Sequence, residues 1–189
     1  RKKLAMPVLD HYDPDDIELD DVEVDWTGDI TEGLGEELES TECLHECTKL
    51  LNVPPRYNEI FRVPVREFFQ RFISDLSTPF WNEVIARGGH GVTSCSSWAP
   101  SDTRCCYQRT LHFRTAIRSM LALNGSTRVI QTQRYRFLSP TDLVFETSSV
   151  SKDVPYSQNF VTESRWRVKA FGDEADSCEL SISVGVRFT

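Results

Sequence analysis

The organisation of this chain follows from residues 152–168, KDVPYSQNFVTESRWRV. The first half is a polar turn, because Pro155 has no N–H to give to a sheet ladder. From Phe160 to Val168 every second residue is apolar or small, and the residues between them are mostly charged. A period of two with one charged side is typical of a half-buried antiparallel strand. The same alternation recurs in the neighbouring segments, so the sequence predicts a large curved sheet.

The other strands and two helices follow from the same kind of pattern. Apolar residues at helical spacing from Val65 to Leu76, behind Pro64, predict one amphipathic helix. A second helix is predicted from Thr78 to the glycines at 88–89. Further strands are predicted over 57–63, 92–99, 104–117, 127–138, 143–150 and 178–188. The chain is therefore predicted to be α+β, with six to seven antiparallel strands and two helices inserted after the first strand.

Charge divides the chain into two parts. Residues 1–50 hold 16 acidic and four basic residues, whereas residues 51–189 hold 13 acidic and 17 basic ones. We expect residues 1–52 to form a partly disordered acidic arm with a helix over 36–51, and residues 53–189 to form one domain. No apolar run approaches the roughly 18 residues of a membrane span. Because the chain begins with Arg, we expect any membrane anchor to lie outside it.

The histidines and cysteines, which are common in catalytic and metal sites, do not form a recognisable motif in this sequence. The four histidines lie in no nucleophile, metal or phosphate-loop motif, so neither enzymatic activity nor a cofactor is expected. Cys43 and Cys47 would share a helix face, but His45 would point away from it, and two small semi-buried side chains are the favoured interpretation. No metal site is predicted. Without a secretory signal, the cysteines are expected to be reduced cytosolic thiols.

Arginines alternate with aromatic residues in two of the predicted strands, at 134–137 and 165–167. Basic residues interleaved with aromatic ones are also found on surfaces that bind single-stranded nucleic acid. In a strand, however, alternation places the arginines outside and the aromatic rings inside without any ligand. Nucleic acid is therefore the disfavoured partner.

Three stretches then suggest a family. They are FQRFISDLSTPF (69–80), the block DVPY-x3-F-x4-RW (153–166) and the closing strand CELSISVGVRF (178–188), together with Trp98. On these motifs residues 57–189, about seven tenths of the chain, resemble the VASt domain. This is the StART-like, sterol-transfer-like module of GRAM-containing proteins at membrane contact sites. Plant proteins that pair C2 and GRAM modules with this domain are the most similar in pattern.

The resemblance implies a helix-grip fold, in which a curved sheet wraps a long helix and encloses an apolar cavity for one lipid. It also implies binding and transfer of a sterol or another membrane lipid, without covalent chemistry, on the cytoplasmic face of ER or plasma-membrane contact sites. The membrane would be a transient partner. On this expectation the inner face of the sheet lines the cavity with Trp98, Tyr107, Leu111, Phe113, Tyr135, Phe137, Phe145, Phe160 and Trp166. The cavity rim would carry Gly88, Gly89, Gly91, Asp153, Pro155 and Tyr156.

Two features leave alternatives open. The family has a long helix after its last strand, whereas this chain stops at Thr189, so the closing C-terminal helix is expected to be absent or replaced by the 36–51 helix. The inner face also carries polar residues that either bind a headgroup or mark the mouth of the sheet: Arg109, Thr115, Gln131, Gln133, Thr147 and Ser149. The alternative function is a protein–protein interaction module with a filled core, whose partner contacts the basic outer face or the acidic arm.

Overall fold

The computed structural model describes residues 54–88, 91–101, 106–116, 125–172 and 176–188. The predicted helix over 36–51, with Cys43, His45 and Cys47, lies outside these residues, as does Gly89. Within them, eight strands and two α-helices follow one another: β1 (Tyr57–Phe61), α1 (Val65–Phe72), α2 (Thr78–Ala86), β2 (Val92–Cys95), β3 (Ala99–Pro100), β4 (Tyr107–Ala116), β5 (Ser126–Ser139), β6 (Asp142–Ser151), β7 (Phe160–Phe171) and β8 (Ser177–Phe188). Neither helix has the length or apolar character to cross a membrane.

All the strands belong to one curved, open antiparallel sheet. Its order is β1-β8-β7-β6-β5-β4-β2, and β3 pairs with the start of β4. Strands β4 to β8 form a meander, in which each strand pairs with the next one along the chain. The first strand pairs with the last, so that Tyr57 lies opposite Ile182. The predicted α+β, helix-grip architecture is confirmed.

The strand count differs from the prediction because the segment 92–99 does not form one strand. At Trp98 the chain turns away from β4 and towards the helices: the indole Nε1 donates to the carbonyl of Ile73 at 2.9 Å, and the backbone N–H donates to Asp75 at 3.3 Å. Pairing with β4 resumes at Ala99 and includes Pro100, which lies outside the predicted strands. Hydrogen bonds to the helical region therefore interrupt a strand that alternation alone would extend.

Helix α1 packs on the sheet as predicted, but it is shorter than its apolar pattern. Phe68 and Phe72 contact Phe61 of β1, with ring centroids 5.1 and 5.8 Å apart. Leu76 was predicted to lie on the same apolar stripe, and this was wrong because it is 58% exposed. The helix ends at Phe72, and the side chain of Ser74 accepts a hydrogen bond from the N–H of Leu76. This cap starts a short 3-10 turn and rotates Leu76 out of the stripe.

The opposite face of the sheet, here called the outer face, carries the predicted arginines. Arg134 donates to Gln108 on the neighbouring strand, while the ring of Tyr135 lies on the other side against Phe69. The prediction of arginines outside and aromatic rings inside is confirmed. Charge on this face does not mean exposure, however. Arg165 and Glu146 are both buried and pair at 2.8 Å, and burial raises the pKa of Glu146 against the opposing effect of Arg165.

Candidate functional site

The inner face of the sheet, which faces α1 and α2, carries an aromatic band. Register places Tyr107, Tyr135, Phe145, Trp166 and Ile182 side by side across β4 to β8. Rings from the helices and from the loop after β2 cover this band. The centroids of the covering contacts lie 4.7–6.0 Å apart: Phe69–Tyr135, Trp98–Tyr135, Trp81–Phe145 and Trp81–Trp166. These are the separations of packed aromatic pairs.

The predicted cavity-lining residues therefore divide into two groups. Those in or beside the aromatic band contact other rings: Trp98, Tyr107, Tyr135, Phe137, Phe145 and Trp166. Leu111 is buried further along β4, and Phe113 and Phe160 are half-buried near the far end of the sheet. The structure brings all the sheet residues of this set to one face. That they line a lipid cavity stays a prediction.

Next to the aromatic band runs a polar band, defined by Arg109, Gln133, Gln131, Ser149, Thr147 and Ser164. Arg109 Nε donates to Gln133 Oε1 at 2.7 Å, and Gln133 Nε2 donates to Gln131 Oε1 at 2.7 Å. Gln131 Nε2 then donates to the hydroxyl of Ser149 at 2.9 Å. Beside this chain, the hydroxyls of Thr147 and Ser164 lie 2.7 Å apart. Polar side chains of β4, β5 and β6 thus form one hydrogen-bonded chain, and Thr147 and Ser164 form a separate pair beside it.

Arg109 is the buried end of the polar band, with only 2% of its surface exposed. Its guanidinium also donates to the carbonyl of Ser74 and to the hydroxyl of Ser77, and it lies 4.5 Å from the ring centre of Trp98. Burial lowers the pKa of Arg109, but an arginine remains charged at neutral pH. Arg109 is therefore a buried cation held between the helical region and the sheet.

Beyond the polar band, strand β8 presents apolar side chains that are largely uncovered. Val184, Val186 and Phe188 are 43%, 56% and 79% exposed although they share the inner face. Val186 lies opposite Thr162, and Phe188 lies opposite Phe160. We call these side chains of β8, with Phe160, the apolar edge. On the inner face, the exposed apolar side chains of β8 thus lie beside the polar band, whose Ser164 is opposite Val184.

The structure places two of the predicted rim segments at the same end of the sheet. A Cβ on Gly88 would lie 3.1 Å from Thr115 Oγ1, so the end of α2 lies close to β4 and a larger residue there would require a small shift of its neighbours. Across the sheet, Thr127 is opposite Thr115 and accepts a hydrogen bond from the backbone N–H of Asp153. Gly91 has open space around it, Pro155 is exposed, and Tyr156 is exposed with a positive φ of 61°.

Asp153 fixes the turn before β7 through an exposed ion pair. Its carboxylate accepts from the guanidinium and the backbone N–H of Arg128, which lowers the pKa of Asp153 from 3.8 to about 2. A depressed pKa contributes stability above the unfolded pKa, and this contribution disappears as the pH falls to the folded pKa. We expect Asp153→Asn to lower the urea midpoint at neutral pH and to approach the wild type between pH 3.8 and about 2. An equal loss at every pH in this window would contradict the ion pair.

Ser74, Asp75 and Ser77 are contributors to the site that the sequence analysis missed. They surround the guanidinium of Arg109, the nearest atom of Asp75 being 3.7 Å from Nη1. A signal was present in the sequence, because SDLS interrupts the apolar helical pattern immediately after Ile73. Serine and aspartate there indicate a cap, but the identity of the group they would contact requires the fold.

Comparisons with known proteins agree with this architecture. Residues 56–189 match the sequence profile of the VASt family, described as the VAD1 analog of StAR-related lipid transfer domain. The chain is also 30% identical over 131 residues to the protein VASCULAR ASSOCIATED DEATH 1, chloroplastic, of Arabidopsis thaliana. That match covers 68% of this chain and 21% of the relative, so the chain spans about a fifth of the relative's length. The residues that form the sheet and its two helices thus belong to the VASt family, a family of StART-like lipid-binding domains.

Proposed function

We propose that this chain binds a sterol or another membrane lipid and transfers it between apposed membranes at contact sites, without catalysis. The main support for this proposal is the apolar edge. Val184, Val186 and Phe188 are exposed on the inner face of a lipid-binding domain, next to the polar band. Exposed apolar side chains that form a patch mark a place for an apolar partner. A lipid matches both parts, because it joins an apolar body to a polar group.

Burial of apolar surface can supply the free energy of lipid binding without any chemical step. Each Å² of lipid surface removed from water contributes about 25 cal/mol, so contact along the apolar edge supplies the affinity. One or two polar groups then orient the lipid. The polar band supports this role because its donors lie beside the apolar edge: Ser149 is opposite Thr162, which is opposite Val186.

The membrane part of the proposal rests on charge. Residues 51–189 carry 17 basic and 13 acidic residues, and a basic domain is attracted to anionic lipid surfaces. We place the domain on the cytoplasmic face of ER or plasma-membrane contact sites, with stable membrane attachment supplied by regions outside these residues.

A second function is favoured by the aromatic band. Rings from α1, α2 and the sheet meet there at packed distances, so this part of the inner face is a filled core. A filled core suits an interaction module, in which a partner protein contacts the surface of the same fold. The two functions differ in one measurable property, the uptake of lipid.

The test combines lipid extraction with uptake by matched variants. The purified chain is extracted and its lipids are identified by mass spectrometry, and transfer of dehydroergosterol between vesicles is followed by fluorescence. Val186→Asp places a charge on the apolar edge, whereas Ser181→Asp places the same charge on the outer face of the same strand. We expect Val186→Asp to reduce uptake about tenfold or more, since a buried unpaired carboxylate is strongly unfavourable.

Ser181→Asp should transfer lipid at the wild-type rate. If the wild type yields no bound lipid and takes up none from vesicles, the lipid-transfer proposal is wrong and the interaction module is favoured. Equal uptake by both variants would show that lipid enters elsewhere.

A further inference from the structure

The hydrogen bonds of the polar band have a fixed direction. An arginine side chain can only donate, so the atom of Gln133 that faces Arg109 must be its oxygen. The amide nitrogen of Gln133 then faces Gln131 and requires an oxygen there. By the same step the amide nitrogen of Gln131 faces Ser149. Neither amide can be turned over without placing donor against donor, so the buried cation sets the orientation of both.

The direction of this chain determines what its far end offers. Gln133 is fully buried, whereas Gln131 and Ser149 are only partly buried. Ser149 Oγ accepts from Gln131, which leaves the hydroxyl proton to be donated onward. The amide of Gln131 has a second N–H as well. The accessible end of the polar band therefore presents hydrogen-bond donors, and a chain of hydrogen bonds that starts at a cation polarises each donor along it.

The electrostatics of the polar band point the same way. The charge at its buried end is positive, and the carboxylate paired with it, Asp75, is 3.7 Å away with its side chain 57% exposed. Solvent screens an exposed carboxylate more than a buried guanidinium. An anionic oxygen that reached Ser149 would thus meet donors backed by a buried cation.

We propose that the polar band selects a lipid whose polar group is an anionic oxygen acceptor, a carboxylate or a phosphate, over a neutral sterol. This rests on the lipid binding proposed above and specifies its substrate class. Ser149 and the amide of Gln131 donate to the anionic oxygen, and the tail lies along Val186 and the rest of the apolar edge. A sterol hydroxyl can accept from the same donors, but it is neutral and therefore gains less than an anionic oxygen from donors that are backed by a buried cation.

Two substitutions test the direction of the hydrogen bonds. Gln131→Glu still accepts from Gln133 but cannot donate to Ser149, and it adds a negative charge. Ser149→Ala removes the terminal donor with little change in volume. The matched control is Gln108→Glu, the same chemical change on the outer face, where Gln108 accepts from Arg134. Thermal unfolding of each variant shows whether it is folded.

Three lipid probes distinguish a carboxylate, a phosphate and a neutral sterol. The full chain is incubated with phosphatidylcholine vesicles that contain oleate, phosphatidic acid or dehydroergosterol, and bound lipid is measured after the protein is separated from the vesicles. We expect the wild type to prefer oleate or phosphatidic acid, and whichever is taken identifies the headgroup. Gln131→Glu and Ser149→Ala should weaken that binding about ten- to hundredfold. Binding of dehydroergosterol, which has no anionic oxygen, should fall by a smaller factor than binding of the anionic lipid, and Gln108→Glu should behave as the wild type.

The outcomes separate this inference from the proposed function. If the wild type takes dehydroergosterol but neither anionic lipid, the domain still carries lipid and the selection of anionic oxygen is wrong. The same holds if folded Gln131→Glu and Ser149→Ala bind the anionic lipids as tightly as the wild type. If the wild type takes no lipid of any kind, both the lipid-binding function and the selectivity fail.

Discussion

Replacing Trp81 with alanine is expected to lower the free energy of unfolding by about 3–5 kcal/mol, the cost of removing a large buried aromatic side chain. Trp81 is 7% exposed and joins α2 to the sheet. Its ring stacks on Trp166 and packs against Phe145, at 6.0 and 5.9 Å between centroids. The indole Nε1 also donates to the buried carbonyl of Phe72 at 3.0 Å, and the alanine variant loses this hydrogen bond. Urea unfolding followed by circular dichroism measures the loss.

Two companion variants isolate the cause. Trp81→Phe keeps a ring but loses the hydrogen bond to Phe72, and we expect it to cost about 1–3 kcal/mol. Val84 lies on the same helix and is 39% exposed, so Val84→Ala should change stability by less than about 1 kcal/mol. A Trp81→Ala variant that unfolds at the wild-type urea midpoint would mean that α2 does not pack on the aromatic band.

Arg109→Met is expected to lower the free energy of unfolding by about 2–4 kcal/mol, since it leaves the buried Gln133 Oε1 without its donor and removes two further hydrogen bonds. Methionine fills a similar volume but cannot donate to Gln133 Oε1, to the carbonyl of Ser74 or to the hydroxyl of Ser77. The contact of the guanidinium with Trp98 is lost as well. Part of this cost is offset because the buried charge, whose desolvation is unfavourable, is removed too. Urea unfolding at neutral pH measures the net effect.

A matched change on the outer face shows whether burial is the cause. Arg167 pairs with Asp142 at 2.9 Å but its side chain is 44% exposed, and we expect Arg167→Met to cost less than about 1 kcal/mol. Arg109→Lys keeps the charge without the planar fork and should lie between the wild type and Arg109→Met. Equal losses for Arg109→Met and Arg167→Met would contradict the role assigned to the buried cation.

Much of the sheet could be predicted because alternation is a local property of each strand. Spacing gave the alternation within each strand, the family resemblance implied that Tyr107, Tyr135, Phe145 and Trp166 share the inner face, and register places them side by side. Alternation gives the face of a side chain but not what covers it. The aromatic band is filled because Phe69 and Trp81 reach it, and how far a helix extends across a sheet is set by packing between distant segments.

The errors and omissions have the same physical origin. Leu76 follows the helical spacing, but the cap at Ser74 ends the pattern before it. Trp98 does not continue the predicted strand, because its indole N–H donates a hydrogen bond to a carbonyl 25 residues earlier in the chain. For Arg109 the sequence indicated a polar position on the inner face, whereas the carbonyl that accepts from it lies 35 residues away. Contacts between segments so far apart have no periodic signal in the sequence.

The pairing of β1 with β8 has a consequence for how the protein is made. The two strands enclose more than a hundred residues between them, so the ribosome must release nearly the whole domain before the first strand has its partner. Strands β4 to β7 form a meander of near neighbours and can pair while synthesis continues. During that interval the phenylalanines of α1 lack the ring of a fixed Phe61 to pack against. The packing of Phe68 and Phe72 is therefore completed only when the last strand has emerged, although Phe69 can contact Tyr135 of β5 before then.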